Sequence, residues 1–177
     1  SDLDEYQVVC LSEGWSEKLH PLIGDSIAVP NPVDAQLKDG VERENFTLLM
    51  GRNDPVKGHK FAYSLDLDDL RVTGVDSAPE GVTALGWVTE EEKWNLLQTA
   101  GVLIVPSEYE GQPMVILEAL AAGCPVIASE NVPDGDILAY HGNEMGSTLS
   151  NNYSFLEETD NSSLNHNFTF VGEANIQ

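Results

Sequence analysis

The chain has 177 residues, of which 41% are hydrophobic, a length and composition that suit one domain with a real core and no need for disulfides. Its 30 acidic and 8 basic residues give a net charge of -22, which argues against binding to nucleic acid or to anionic lipid. No apolar run is long enough to span a bilayer, and the acidic N-terminus is unlike a signal peptide, so a cytoplasmic protein without membrane contact is expected.

Apolar runs alternate with helical patterns along the chain. The predicted strands cover 7–11, 26–29, 46–50, 70–73, 82–85, 102–105 and 125–128, and the predicted helices cover 14–23, 57–65, 90–99, 113–122 and 134–141. This alternation predicts an α/β fold with a Rossmann-like, doubly wound parallel sheet, whose ligands bind at the carboxyl ends of the strands. The interval 57–86 is short for two crossovers, so one helix there is expected to be missing or reduced to a turn.

The C-terminal part of the chain differs in composition from the rest. From Gly142 onward the sequence is polar and rich in Asn and Ser. The predicted organisation is therefore one α/β domain over residues 1–141, followed by a polar tail or loosely docked segment over residues 142–177.

A cluster of cations follows the predicted strand 46–50. The sequence GRNDPVKG at 51–58 contains Arg52 and Lys57, and Lys60 comes shortly after, whereas the other cations, including Lys93, are scattered. An arginine can fork onto phosphate oxygens and a lysine adds a point charge, so the segment is a candidate phosphate site. The alternative is a surface turn whose cations offset neighbouring acids.

A second candidate segment, PSEYEGQPMVILE at 106–118, follows the predicted strand 102–105. Pro113 suits the first position of a helix, where its missing N–H has no cost. The free N–H groups of Met114 and Val115 would then face the preceding loop. Helix starts of this kind bind anions.

Two carboxylates belong to this segment. Glu118 is the only charged residue from 113 to 128, and its two oxygens could accept the two hydroxyls of a ribose. It could instead cap a backbone turn or pair with a cation. Glu110 precedes the helix and could hold sugar hydroxyls or respond to charge at a reacting carbon, or could be one more surface acid. Together the two segments suit a sugar joined to a nucleoside diphosphate.

These segments resemble family 4 of the glycosyltransferases. Glu110 and Glu118 bracket seven residues, as in the E-x7-E motif of that family, and GRNDPVKG is similar to its GR…P.KG loop. PNPVD at 30–34 resembles the PNGVD segment, with Pro32 in place of glycine, and LGWVTEEE at 85–92 resembles the LGxV segment. The four similar segments occur in the same order and spacing.

The resemblance implies the C-terminal, donor-binding half of a GT-B fold. Glu110 would be the catalytic residue near the reacting sugar, Glu118 would bind ribose, and Trp87 would lie near the base. The remaining donor-binding residues implied by the motif are Arg52, Lys57, Gly111, Gln112, Pro113, Met114 and Val115. Neither a cofactor nor a metal is implied, because the nucleoside-diphosphate sugar is the donor substrate, and transfer would retain the anomeric configuration.

The expected function is therefore that of a hexosyltransferase-type donor-binding domain. Only residues 1–29 precede the PNPVD segment, so the acceptor domain that would receive a glycan, lipid or protein is missing from this stretch. The alternative is a catalytically incomplete nucleotide-sugar-binding module that needs a separate acceptor-binding domain. Nucleotide-sugar epimerases and phosphorylases have related folds and are further alternatives.

Overall fold

The computed structural model describes residues 6–129 and 168–171. Its strands are β1 (Val8–Cys10), β2 (Ser26–Ala28), β3 (Thr47–Leu49), β4 (Leu70–Val72), β5 (Val82–Ala84), β6 (Val102–Val105), β7 (Val126–Ser129) and β8 (Phe168–Val171). Its helices are α1 (Glu13–Ile23), α2 (His59–Ser64), α3 (Glu90–Thr99) and α4 (Met114–Ala121), and a 3₁₀ turn covers Pro55–Lys57.

Six of the strands form one sheet in the order β5-β4-β3-β6-β7-β8. Strands β3 to β7 are parallel to their neighbours, and β8 pairs with β7 in the antiparallel direction. The chain winds outward from β3 through β4 to β5 and then returns to place β6 on the other side of β3. The prediction of a Rossmann-like parallel sheet is confirmed, and the point where the strand order reverses lies between β3 and β6.

The central strands are buried on both faces. Leu48 and Leu103 pack with the apolar side chains of α3 and α4, including Leu97. Leu49 and Ile104, the next residues along the same strands, pack on the opposite face beside Ala62 of α2. Because successive strand residues point to opposite faces, unbroken apolar runs are what this two-sided burial requires.

The first two strands belong to a separate sheet. β1 and β2 pair in parallel with each other, and α1 connects them. We call β1, α1 and β2 (residues 8–28) the N-terminal β–α–β unit. The predicted helix 134–141 and the predicted boundary at residue 141 lie outside the described residues, so the division into 1–141 and 142–177 stays a prediction. The strand β8 was not predicted.

The connection between β4 and β5 contains no helix. Residues 73–81 form a turn that closes back on itself, with the Gly74 N–H donating to the Gly86 carbonyl at 2.7 Å. The Gly86 N–H donates in turn to the Val75 carbonyl at 3.0 Å. The short interval in the sequence therefore reflects a crossover that is reduced to a turn, as expected.

Helix α3 begins with a capping box. The Thr89 hydroxyl accepts the Glu92 N–H at 3.3 Å, and the Glu92 carboxylate accepts the Thr89 N–H at 2.7 Å. These bonds satisfy backbone donors that the first helical turn leaves unpaired. The predicted helix 90–99 coincides with the observed one.

Arg43 joins the ends of α3 and α4. Its guanidinium donates to the Ala100 carbonyl at 2.8 Å and to the Leu97 carbonyl at 3.3 Å, both at the end of α3. It also donates to the Ala122 carbonyl at 2.9 Å, where α4 ends. A cation at helix C-termini is favourable, and this one fixes the two helices relative to each other.

Candidate functional site

A cavity of about 480 Å3 lies at the carboxyl edge of the six-stranded sheet, beside the reversal of strand order. Its walls come from the ends of β3 and β4, the segment before α3, and the start of α4. The lining residues are Met50, Gly51, Arg52, Lys57, Thr73, Gly74, Trp87, Val88, Lys93, Pro113, Met114, Val115 and Glu118. The cavity thus unites Arg52, Lys57 and Glu118, which the sequence placed in two separate segments.

The loop after β3 presents its two cations differently. We call residues 50–58 the β3 loop. The Arg52 side chain is 70% exposed and lies 3.4 Å from the Asp54 carboxylate, which also accepts the Val56 N–H and so caps the 3₁₀ turn. Lys57 closes the same turn and is more enclosed, with 28% of its side chain exposed. Arg52 is therefore open to solvent beside Asp54, whereas Lys57 is largely enclosed.

Two glycines allow the loops around the cavity to touch. Gly58 has φ +72°, and a Cβ atom there would lie 2.8 Å from the carbonyl carbon of Pro106. Gly74 also has φ +72°, and its Cβ atom would lie 2.7 Å from the carbonyl carbon of Gly51. Neither position can carry a side chain without a backbone shift, so the β3 loop is clamped on both sides.

The predicted catalytic residue pairs with a predicted phosphate ligand. Lys57 Nζ lies 2.5 Å from Glu110 Oε1, and the Ser107 hydroxyl lies 2.7 Å from the same oxygen. Glu110 is only 13% exposed and reaches the cavity through Lys57 rather than by lining it. The Glu108 N–H also donates to the Val56 carbonyl at 2.8 Å. These contacts join the β3 loop to the loop after β6, residues 106–113, which we call the β6 loop.

Glu118 pairs with a cation that sequence analysis had left among the scattered charges. Its Oε1 atom lies 2.7 Å from Lys93 Nζ, with 14% and 18% of the two side chains exposed. Lys93 also contacts the Glu90 carboxylate at 2.8 Å. The cation-pairing alternative for Glu118 is therefore observed, and ribose binding by the same carboxylate stays a prediction.

The start of α4 faces the cavity. Pro113 is the N-cap with φ -70°, one residue before the predicted position, and no side chain of the described residues caps the helix. Pro113, Met114 and Val115 line the cavity, and their contact with a donor stays a prediction. The first N–H groups of a helix have no intrahelical acceptor, so those of Met114 and Val115 remain available to an anion.

Gly111 and Gln112 face away from the cavity, toward the N-terminal β–α–β unit. The Gly111 carbonyl accepts the Trp15 indole N–H at 2.8 Å. The buried Gln112 side chain bonds to the backbones of Leu11 and Asn31. Among the predicted site residues, Glu110, Gly111 and Gln112 do not line the cavity. All three belong to the β6 loop, which leads to the cavity.

Sequence reasoning missed four residues of the cavity wall: Met50 at the end of β3, Thr73, Gly74 and Lys93. Thr73 follows β4 directly, and its hydroxyl accepts the Gly51 N–H at 3.4 Å. Gly74 comes next, and Lys93 lies in α3. The position of Thr73 at the carboxyl end of a strand could have predicted that it lies at the site. Nothing in the sequence marks Lys93 as a neighbour of Glu118.

His59 is buried directly behind the β3 loop. It is 3% exposed, and neither ring nitrogen has a hydrogen-bond partner among the described residues. Burial lowers the pKa of His59 below its ordinary value of 6.5, and nearby Lys57 lowers it further, while the Gly51 backbone and Asp54 oppose this. The imidazole is therefore neutral at pH 7.

The described residues offer no group of three or more His, Cys, Asp or Glu side chains that could hold a metal ion. In the same part of the chain, no helix combines the length and apolar character needed to cross a membrane.

Residues 48–166 match the family described as "Glycosyl transferases group 1". EpsF of Bacillus subtilis (strain 168), a curated protein named as a glycosyltransferase, is 44% identical over 46 residues, which are 26% of this chain and 12% of EpsF.

Solved structures are similar over most of the chain. AviGT4, described as a glycosyltransferase involved in avilamycin A biosynthesis, is 26% identical with a TM-score of 0.56, covering 70% of this chain and 44% of AviGT4. Sucrose-phosphate synthase from Thermosynechococcus elongatus is 21% identical with a TM-score of 0.57, covering 68% of this chain and 40% of the synthase. The chain thus spans less than half the length of these proteins. It belongs to the group 1 glycosyl transferases, and its fold is that of the Rossmann-like sheet of GT-B glycosyltransferases.

Proposed function

We propose that this chain binds the nucleoside-diphosphate sugar donor of a glycosyltransferase in the cavity between the β3 loop and the start of α4. The observation that carries the proposal is the meeting of cations, unpaired helical N–H groups and a carboxylate in this one cavity. In a chain of net charge -22, the placement of Arg52 and Lys57 at the same cavity favours an anion there, although each also lies beside one carboxylate, Asp54 and Glu110 respectively.

Different residues of the cavity would bind the diphosphate, the base and the ribose of the donor. The diphosphate would lie between Arg52, Lys57 and the N–H groups that begin α4, which are the usual partners of phosphate oxygens. The base would lie against Trp87, whose side chain is largely exposed at the cavity rim. The ribose would reach Glu118 near the first turn of α4. This arrangement supports the assignment of the chain to family 4. It also supports the identification of Glu110 and Glu118 as the two glutamates of the E-x7-E motif.

Glu110 would act at the sugar end of the donor. It shares Lys57 with the diphosphate, so the departure of the nucleoside diphosphate and the charge on Glu110 would be linked through one ammonium group. A carboxylate held this way by Lys57 and Ser107 is pre-oriented, which is the condition for stabilising charge as it develops. Retention of configuration is part of the proposal, and neither a cofactor nor a metal enters it.

The acceptor would be a glycan, lipid or protein bound by a further domain. Since the chain spans less than half of the similar solved structures, the donor cavity alone is expected to bind without transferring sugar. The alternative proposal is a binding module whose acceptor-binding partner is a separate chain. A sugar-transfer rate of about 1 per second or more from this chain alone would contradict both the proposal of a further acceptor domain and the proposal of a separate acceptor-binding chain.

The test is a thermal-shift and calorimetry panel of UDP, GDP, ADP and their sugars at low and at molar salt. A ligand that binds only the folded state must raise the melting temperature. Arg52→Ala and Lys57→Ala are each expected to weaken nucleotide binding by about 1–3 kcal/mol, the range for charge-assisted hydrogen bonds.

The matched control for charge is Lys18→Ala, which removes a cation from α1, where Lys18 lies 4.8 Å from the centre of the Trp15 ring. Its nucleotide affinity should stay at the wild-type value. Equal affinities in all three variants would refute the assignment of the diphosphate site.

A further inference from the structure

We propose that Lys93 is a positioning residue that holds the Glu118 carboxylate in the orientation in which its second oxygen accepts ribose hydroxyls. This inference rests on the proposed function and assigns a residue outside both sequence segments to the donor site.

The ion pair leaves half of the carboxylate available. Lys93 Nζ contacts only Oε1 of Glu118, at 2.7 Å, and no donor among the described residues reaches Oε2. Both residues line the cavity. The carboxylate is therefore fixed through one oxygen and open to a ligand through the other.

Glu118 needs such a partner because its surroundings are apolar. Its helix carries Val115, Ile116 and Leu120, and its side chain is 14% exposed. A carboxylate that is largely removed from water is costly unless it is paired. Without Lys93, we expect Glu118 to turn toward solvent, which would remove the acceptor geometry for ribose.

Lys93 is itself held in place from the other side. Glu90, one turn earlier in α3, accepts a hydrogen bond from Lys93 at 3.0 Å, and the Thr89–Glu92 capping box fixes that first turn. Burial works against the charged form of Lys93, but the hydrogen bonds to Glu118 and Glu90 outweigh it and raise its pKa. The ammonium thus stays charged over the neutral range and also offsets the charge of Glu118 near the diphosphate.

The experiment compares two ligands that differ only in the ribose hydroxyls. The first probe is the nucleotide among UDP, GDP and ADP that binds the wild type. The second probe is the 2′,3′-dideoxy analogue of that nucleotide. Lys93→Met is expected to weaken the ribonucleotide about tenfold more than it weakens the dideoxynucleotide, as when a charge-assisted hydrogen bond to the ribose is lost. Lys93→Arg, which keeps a donor at the same place, should recover part of the loss.

A double-mutant cycle with Glu118→Gln separates positioning from independent contact. If Lys93 acts through Glu118, adding Lys93→Met to Glu118→Gln should cause little further loss of ribonucleotide affinity. The matched control is Lys38→Met, which breaks the exposed ion pair with Glu91 on the same helix and should change neither affinity. Circular dichroism and melting temperatures would identify any variant that fails to fold, and Lys93→Arg would then carry the comparison.

The outcomes are distinct. Equal weakening of both nucleotides by Lys93→Met, or additive losses in the cycle, would show that Lys93 contacts the phosphate or base directly and would overturn the inference. If the wild type binds none of the three nucleotides, the proposed function itself fails and this inference fails with it.

Discussion

The Gln112 side-chain oxygen accepts the backbone N–H of Asn31 at 2.8 Å, across 81 positions of sequence. The same amide donates to the Leu11 carbonyl at 3.1 Å. One side chain therefore bonds the β6 loop to Leu11, directly after β1, and to Asn31, three residues after β2. Because Gln112 is buried, these bonds are expected to contribute more than the equivalent bonds at an exposed site.

We predict that Gln112→Leu loosens the N-terminal unit from the β6 loop. Two half-buried backbone groups, the Asn31 N–H and the Leu11 carbonyl, would lose their partner, at a cost of about 0.5–1.5 kcal/mol each. Amide exchange of residues 6–31 should become faster. The control is Gln98→Leu, since Gln98 makes the same pair of bonds to the Lys38 backbone at an exposed site. Equal exchange in the two variants would contradict the bridging role.

Gly74→Ala is predicted to destabilise the fold more than Gly81→Ala. Both glycines have positive φ, +72° and +86°, so each substitution carries the left-handed cost of about 1–2 kcal/mol. Only the Gly74 Cβ would collide with the Gly51 backbone, whereas no atom lies within 4 Å at Gly81. Denaturant unfolding should show an extra loss of about 1–3 kcal/mol for Gly74→Ala. Equal losses would show that the close approach to Gly51 is not required.

Arg43→Gln is predicted to lower stability by about 1–3 kcal/mol, because helix carbonyls at the ends of α3 and α4 lose a charged donor. Lys18→Met removes one positive charge elsewhere and serves as the charge control. Arg43→Lys keeps the charge but not the fork, so it should recover only part of the loss. Urea midpoints measured at several salt concentrations would separate the hydrogen bonds from the general repulsion of an acidic chain.

We predict that burial of His59 lowers the free energy of unfolding as the pH falls below about 6.5. Its folded-state pKa lies below the unfolded value of 6.5, so the unfolded chain binds the proton more tightly. The contribution of neutral His59 is complete above about pH 6.5 and declines below it by up to about 1.4 kcal/mol per pH unit until the folded-state pKa is reached. His59→Phe keeps a ring beside Tyr63 and should lose this dependence.

The control for the histidine experiment is His20→Gln, since His20 is 62% exposed. This variant should retain the acid-side loss of stability that His59→Phe removes. If His59→Phe also follows the wild type, His59 is not the titrating group.

Local signals explain which elements could be predicted from the sequence. Helix α3 was found to the residue because Thr89 and Glu92 cap it through bonds within four residues. The buried strand β6 was found because four consecutive apolar residues have no exposed face. Strand β8 was missed although its FTFV sequence alternates, since the polar residues around it dominated the interpretation.

Contacts between residues that are distant in the sequence could not be predicted from the sequence. The strand runs at β1 and β2 were recognised, but nothing local shows that they pair with each other outside the main sheet. The motif placed Glu110 and Lys57 near one donor, whereas their direct contact across 53 positions depends on the crossing of two loops. The Lys93–Glu118 pair is of the same kind, because its members occupy different helices.

The two cysteines of the chain make it suited to site-specific labelling. Cys124 is fully buried, and burial raises its pKa to about 11, so almost no thiolate is present near neutral pH. Cys10 is 6% exposed. Tyr109, next to Glu110, is 65% exposed. A single Tyr109→Cys change would therefore provide the one readily alkylated thiol of the folded chain, and a fluorophore attached there would report movement of the β6 loop without replacement of either native cysteine.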